Sequence, residues 1–331
     1  MKKTFLICSC VLALAACSQS PEAVREKRPF TVLTDSIYTS MPGHLILSPR
    51  YLVWSDPFSD GAFIHVHDTV SGQDIGAMGS IGQGPEEFVT PGMDCFALNN
   101  EIYVSDVNGN NRGYFSIDSL LCGAKAFRRI EGDSLQTCSR VTEHLYVAYT
   151  SDGDETYFSA WVDGRKVGFG SYPIPDVKQH LGGSLAYDVR SGNFIYAALD
   201  IPYLSCYHYD ETAGNFKLLW ERKSPVENYR MENGYLQFDM DKAKGASELC
   251  LSRDYIITLE RDRKYDRTKE SSVGRDASLR PTTLFLYDYE GNLKRIVDIG
   301  APILRICSDV TRNTVYALVV NPDYTLVKCE L

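Results

Sequence analysis

Hydrophobic and polar positions alternate along this chain in short runs, and turn residues interrupt the runs at close intervals. Residues 45–54 and 62–68 read as strands, and Ser71-Gly72 then turns the chain into 74–78. Residues 93–98, 101–105 and 113–117 repeat the pattern, as do 144–150, 157–162 and 166–172. A set of four follows at 185–189, 194–199, 203–209 and 216–221, and another at 249–252, 255–259, 283–289 and 293–298. Asp163-Gly164 and Gly291-Asn292 supply the φ-permissive pairs that tight hairpins need. Few stretches carry a helical period; a short helix is expected only within 231–244.

Grouping the strands by four gives a period of roughly 45–50 residues. One hairpin recurs at that spacing. Ile64-His65-Val66-His67-Asp68 precedes Ser71-Gly72, Tyr207-His208-Tyr209-Asp210 precedes Gly214-Asn215, and Leu286-Tyr287-Asp288-Tyr289 precedes Gly291-Asn292. Such repetition implies an all-β fold, a six-bladed β-propeller over residues 29–331. The last group, 304–308, 314–320 and 325–331, is one strand short, while 30–34 is a strand without a group. An N-terminal strand completing the last blade would close the ring and remove an open edge. The pattern is poorest at 119–140 and 223–247. A pair of β-sandwiches and a seven-bladed ring are the rival folds.

The N-terminus differs from the rest. Lys2-Lys3 precedes an apolar run at 4–14 that is too short to span a bilayer, and Leu14-Ala15-Ala16-Cys17 follows. This resembles the lipobox of bacterial lipoproteins. The resemblance implies that residues 1–16 are a signal peptide, that Cys17 takes the lipid, and that 17–28 is a flexible tether. Ser18, in place of Asp, implies an outer-membrane address in the cell envelope. Removal of Lys2 and Lys3 with the signal takes the net charge of −9 to −11. So acidic a body repels phosphate backbones, and no nucleic acid is expected as partner.

A second resemblance rests on the segment Gly79-Ser80-Ile81-Gly82-Gln83-Gly84-Pro85-Glu86-Glu87-Phe88, Pro91, Glu101-Ile102-Tyr103-Val104-Ser105-Asp106, Asn110-Asn111-Arg112 and Tyr114-Phe115. It is similar to an NHL repeat, and with the lipobox it resembles the six-bladed lipoproteins described as TolB-like. Residues 107–109 carry an extra residue, and Gly113-Tyr114 replaces the usual apolar pair. On physical grounds the glycines permit a tight crossing between blades, Pro85 stops the strand, and Phe88 plugs the gap between blades. Asp106 and Arg112 flank a loop where a charge-assisted hydrogen bond is possible. The functional alternative places Asp106, Asn108 and Arg112 against a ligand in the central channel.

Enzyme signatures are missing: there is no G-x-S-x-G elbow, Walker A, dinucleotide fingerprint or H-E-x-x-H, and no catalytic residue or cofactor is assigned. His65 and His67 share one strand face, expected to be solvated. Seven cysteines remain at 95, 122, 138, 206, 250, 307 and 329, without zinc spacing, and are expected to act chiefly as small hydrophobes. Asp94, Asp106 and Asp188 are nominal acids near strand ends. Residues 260–280 form a loop rich in basic side chains, expected to be solvated or to meet a partner. These features imply a lipid-anchored, monomeric and non-enzymatic binding module. Its partner would be an envelope protein, peptide or glycan. A metal-assisted hydrolase or lyase working in the central channel, and a structural role in an envelope complex, are the alternatives.

Overall fold

The computed structural model describes residues 22–130, 138–224, 227–233, 235–239, 241–264 and 276–331. Two strands lead the chain: β1 (Val24–Lys27) and β2 (Thr31–Ile37). Blade 1 follows as β3 (Leu45–Ser48), β4 (Tyr51–Ser55), β5 (Ile64–Asp68) and β6 (Asp74–Met78). Blade 2 holds β7 (Pro91–Leu98), β8 (Glu101–Asp106), β9 (Arg112–Ser116) and, after the short helix α1 (Ile117–Leu121), β10 (Phe127–Arg129). Blade 3 is β11 (Ser139–Arg140), β12 (Leu145–Tyr149), β13 (Phe158–Val162) and β14 (Arg165–Phe169). Blade 4 is β15 (Gly183–Asp188), β16 (Asn193–Ala198), β17 (Tyr203–Asp210) and β18 (Asn215–Lys223). A separate hairpin, β19 (Tyr229–Glu232) and β20 (Tyr235–Phe238), precedes blade 5: β21 (Glu248–Leu251), β22 (Ile256–Leu259), β23 (Thr283–Tyr287) and β24 (Leu293–Asp298). Blade 6 is β25 (Ile303–Asp309), β26 (Thr314–Val320) and β27 (Tyr324–Glu330).

The protein is an all-β, six-bladed propeller. Each blade is an antiparallel meander whose first strand faces the axis, and these first strands meet around the ring. β2 pairs antiparallel with β27, Thr31 opposite Lys328 and Val32 opposite Val327. β2 thereby finishes the blade built by the last residues, as the unpaired strand in the sequence implied. Blade 6 thus has four strands, in the order β25, β26, β27, β2 from the axis outwards.

The stretch expected to be a flexible tether carries more structure than its composition suggests. β1 adds to the outer edge of blade 5, parallel to β24, with Val24 opposite Arg295 and Lys27 opposite Asp298. Arg25 pairs with Asp262, and Glu26 pairs with Arg295. Residues 17–21, including Cys17, lie outside the described residues. The helix expected within 231–244 is not formed there: β19 and β20 make a hairpin, with Glu232 opposite Tyr235. Its alternating Tyr, Met and Leu side chains suit a half-buried strand pair better than a helical stripe.

Hydrophobic clusters hold the blades together, and they sit between blades. Phe63 and Phe88 meet edge to face at 5.3 Å, and Phe88 meets Phe127 at 5.4 Å, in the cluster joining blades 1 and 2. Phe88 is fully buried. Gly79 lies at φ +81°, and a Cβ there would strike the Phe63 ring, so the chain can cross to the next blade only with glycine at this point. Further clusters join blades 3 and 4, 4 and 5, 5 and 6, and 6 and 1.

Two side chains depart from the expected solvated face. His67 is buried, and its Nε2 accepts a 3.1 Å hydrogen bond from Trp54 Nε1. His65 stacks on the Trp54 ring at 4.2 Å. Burial lowers the pKa of both rings, so neither carries a charge that would favour water. His65 and His67 do share one face of β5, and Trp54 of the adjacent strand covers it.

Candidate functional site

The six inner strands surround a channel cavity of about 490 Å³. Aliphatic side chains from β3, β15, β21 and β25 make most of the wall, and Phe96, Tyr149 and Tyr187 add aromatic surface. A size of this order suits a small organic ligand or the end of a peptide.

Blade 2 shapes the channel most. Met93 pairs with Val104 and Ala97 with Ile102, so Asp94, Cys95 and Phe96 stand opposite Tyr103 alone. This bulge pushes the segment off the ladder and towards the axis. Blade 3 gives it room, because its inner strand β11 has only two residues. Cys95 Sγ consequently reaches to 4.0 Å from the Leu185 carbonyl of blade 4, and Phe96 packs on the core of blades 3 and 4. The Cys95 thiol is open to the channel, while the blades around it still desolvate it and raise its pKa well above that of a free thiol. It is therefore a weak nucleophile. Asp94 is held above its ordinary range, at about 6, because burial outweighs its hydrogen bonds. Its Oδ2 has no hydrogen-bond partner among the described residues.

The two ends of the channel differ. At one end lie His44, just before β3, Gly183 at the start of β15 and Glu248 at the start of β21. Glu248 Oε1 accepts from Arg305 at 3.2 Å. Arg305 also donates to the Gly43, Leu304 and Pro42 carbonyls, so four of its five N–H groups are engaged. Burial raises Glu248 to about 7, against the opposing pull of Arg305 and Arg280. Burial, helped by Arg305, lowers His44, which is neutral at pH 7.

At the other end Arg190, in the turn after β15, spans three blades. It pairs with Asp188 at 2.8 Å and donates to the Arg253, Val310 and Ser252 carbonyls and the Tyr289 hydroxyl. Asp188 is 3% exposed, and its pKa is lowered because the Arg190 hydrogen bonds overcome its burial. One side chain thus ties together the turns of blades 4, 5 and 6 beside Val189 and Val310 of the channel wall.

The residues singled out in the sequence lie elsewhere. Asp106 accepts from the backbone N–H groups of Val89 at 2.7 Å and Thr90 at 2.8 Å, and Asn108 donates to the Thr90 hydroxyl at 2.8 Å. Asn111 donates to the Glu87 carbonyl at 2.6 Å. These bonds fasten the Gly-rich crossing to the β8–β9 loop. Neither Asp106, Asn108 nor Arg112 lines the channel cavity. Of the nominal acids, Asp188 proves to be the Arg190 partner; Glu248, which no motif marks, is the acid of the channel wall. All seven described cysteines are free, and Cys95, Cys250 and Cys307 face the channel. Most of the basic loop, residues 265–275, lies outside the described residues.

A larger cleft, about 770 Å³, opens between blades 6 and 1, lined by Arg28, Arg50, Arg312 and Lys328. Each of these cations already has an acid beside it: Glu26 at 3.0 Å, Asp68 at 2.6 Å, Asp309 at 3.9 Å and Glu330 at 2.8 Å. The cleft offers little uncompensated charge, and the channel is the better candidate site.

No family model matches the sequence. No curated protein matches it either. Among solved structures, the chain is similar to a member of the DUF4221 family from Bacteroides vulgatus, with a TM-score of 0.53 and 10% identity, covering 93% of this chain and 97% of that one. It is also similar to the β-propeller domain of Cps50 (Swd1) from Myceliophthora thermophila, with a TM-score of 0.46 and 9% identity over 92% of this chain and 100% of that one. These likenesses concern the fold.

Proposed function

We propose that this protein is a lipid-anchored propeller of the cell envelope that binds a ligand in its central channel without catalysing a reaction on it. The observation that carries the reading is the channel itself. It is of ligand size, walled by aliphatic and aromatic side chains with His44, Ser139, Ser184, Ser247, Glu248 and Ser308 among them, and tied across one end by Arg190. Rigid walls with sparse polar groups favour binding and orientation. The only thiol that projects into the channel from the bulge is held protonated, which gives it little nucleophilic character. The N-terminal lipobox and the NHL-like segment support the anchor and the resemblance to TolB-like lipoproteins. A peptide or glycan of the envelope would present its end to the channel, and a protein partner would do so through such an end. The hydrolase or lyase reading would need three converging acid, Asn or His side chains at one mouth of the channel.

Two measurements test this reading. Cys17→Ala is expected to move the protein from the membrane to the aqueous fraction, and full retention on membranes would overturn the anchor. Protein purified from its native membranes is expected to carry a low-mass ligand, seen by native mass spectrometry. Ser184→Trp, which fills the channel, should remove it. Equal cargo in both forms would overturn the channel as the site.

A further inference from the structure

Among the described residues lining the channel, Glu248 is the one that carries a formal charge, since His44 is neutral. One of its oxygens is taken by Arg305, and no donor meets the other among the described residues. Arg305 does not line the cavity, and four of its five N–H groups go to three backbone carbonyls and to Glu248. A ligand in the channel therefore meets a free carboxylate oxygen and no free cation. The channel wall also presents the aromatic side chains of Phe96, Tyr149 and Tyr187, whose faces attract cations and apolar bodies alike. The whole chain, at net charge −9, raises the local concentration of cations around it.

We propose that the channel binds a small organic ammonium ion, its charged end on Glu248 and its apolar body among Phe96, Tyr149 and Tyr187. This rests on the channel being the binding site, and it adds the chemical class of the occupant. An anionic ligand would have to bury its charge beside Glu248 with no partner. A neutral ligand would leave the second oxygen of Glu248 unmatched in a desolvated site.

A pH dependence follows. The groups facing Glu248 are Arg305 and Cys307 on β25, Cys250 on β21, Cys95 on the β7 bulge, His44 before β3, and Arg280 from the loop after β22. The three thiols stay protonated through neutrality, because burial raises their pKa. His44 stays neutral and the arginines stay charged, so Glu248 is the group that titrates near pH 7. An ammonium ion favours its ionised form. Affinity should rise with pH through 7, by roughly 30-fold between pH 5.5 and pH 8.

The test uses the mature chain and calorimetric titration with three compounds that share one body: tryptamine, the neutral alcohol tryptophol, and indole-3-acetate. Tryptamine is expected to bind at least tenfold more tightly than tryptophol, with indole-3-acetate weakest. Tryptamine affinity should rise with pH, indole-3-acetate affinity should fall, and tryptophol affinity should stay level. Glu248→Gln should erase the preference of the channel for tryptamine over tryptophol. Ser184→Trp should abolish binding of all three. If tryptophol matches tryptamine, or the preference survives in Glu248→Gln, the cation assignment is overturned. Loss of that binding in Ser184→Trp would in either case leave the channel reading standing. If none of the three binds, the cation assignment is overturned as well, and the native-membrane cargo experiment decides the channel separately. The isostere and pH series on the unmodified protein decide the question even if Glu248→Gln fails to fold.

Discussion

The seam between blades 1 and 2 and the seam between blades 2 and 3 share a blade but use opposite chemistry. The first is filled by Phe63, Phe88, Phe115 and Phe127, whose rings meet at 4.9–5.8 Å. The second holds Tyr103 and Tyr114 with Arg140, and Arg140 lies over the Tyr114 ring at 5.4 Å. Glu101 accepts there from Arg128 at 2.9 Å and from Arg140 at 3.4 Å. Among the described residues five seams own a hydrophobic cluster, and the second of these two is the one without. The same seam carries the two-residue inner strand and the bulge that enters the channel. An apolar seam fixes the distance between blades through close packing. A polar seam tolerates an irregular inner strand, because its contacts are long side chains that can reach. The propeller is thus rigid where it needs only to be a ring, and irregular where it shapes its channel.

Mutations can break or sharpen this contrast. Phe88→Ala, at the centre of the apolar seam, should cost about 3–5 kcal/mol, read from urea denaturation. A loss below about 1 kcal/mol would mean that the rings do not hold blades 1 and 2 together. At the polar seam Asp94 provides a smaller effect of opposite pH character. Its pKa is raised on folding to about 6, so the folded state holds the proton more tightly than the unfolded chain. Its contribution is favourable below the ordinary carboxylate range and is lost as pH rises through about 4 to 6. Asp94→Asn should remove that slope, leaving the variant more stable than the parent at pH 7 by about 1–2 kcal/mol and equal to it near pH 4. Parallel stability curves for the two proteins would refute the assignment. The smallest change belongs to Arg140→Met. Glu101 keeps Arg128 as partner, so no charge is orphaned, and stability should move by less than about 1 kcal/mol. A large loss in thermal unfolding would show that the polar seam is as tightly coupled as the aromatic one.

Much of the ring was legible because propeller strands are short and their turns are chemically distinct. The third-to-fourth strand hairpins, the closing strand and the Phe88 plug all depend on neighbours close in sequence or on one periodic pattern. Blade 3 was harder: β11 is two residues long, too short for any alternation to register. The buried His65 and His67 carry the same two-residue spacing as a solvated face, and only Trp54 from the adjacent strand tells the two apart. Asp106 and Asn108 stood out because they belong to a recognisable segment, and that segment serves the crossing between blades. Glu248 stood out in nothing, since it is one acid among 43 acidic residues and its role depends on Arg305, 57 positions away.

The sequence by itself determined the ring: its strand rhythm, the glycine at which the chain crosses to the next blade, the aromatic plug and the strand that closes the circle. The rhythm and the crossing are written locally, because backbone dihedrals, alternation and turn chemistry act over a few residues, and the closing strand shows as the one strand that the repeat leaves over. Tertiary structure alone decided the channel. The desolvation of Glu248, the reach of the Cys95 bulge to blade 4 and the span of Arg190 across three blades each arise from groups far apart in the chain. Burial and electrostatic coupling depend on distance in space, and closing the ring is what sets those distances.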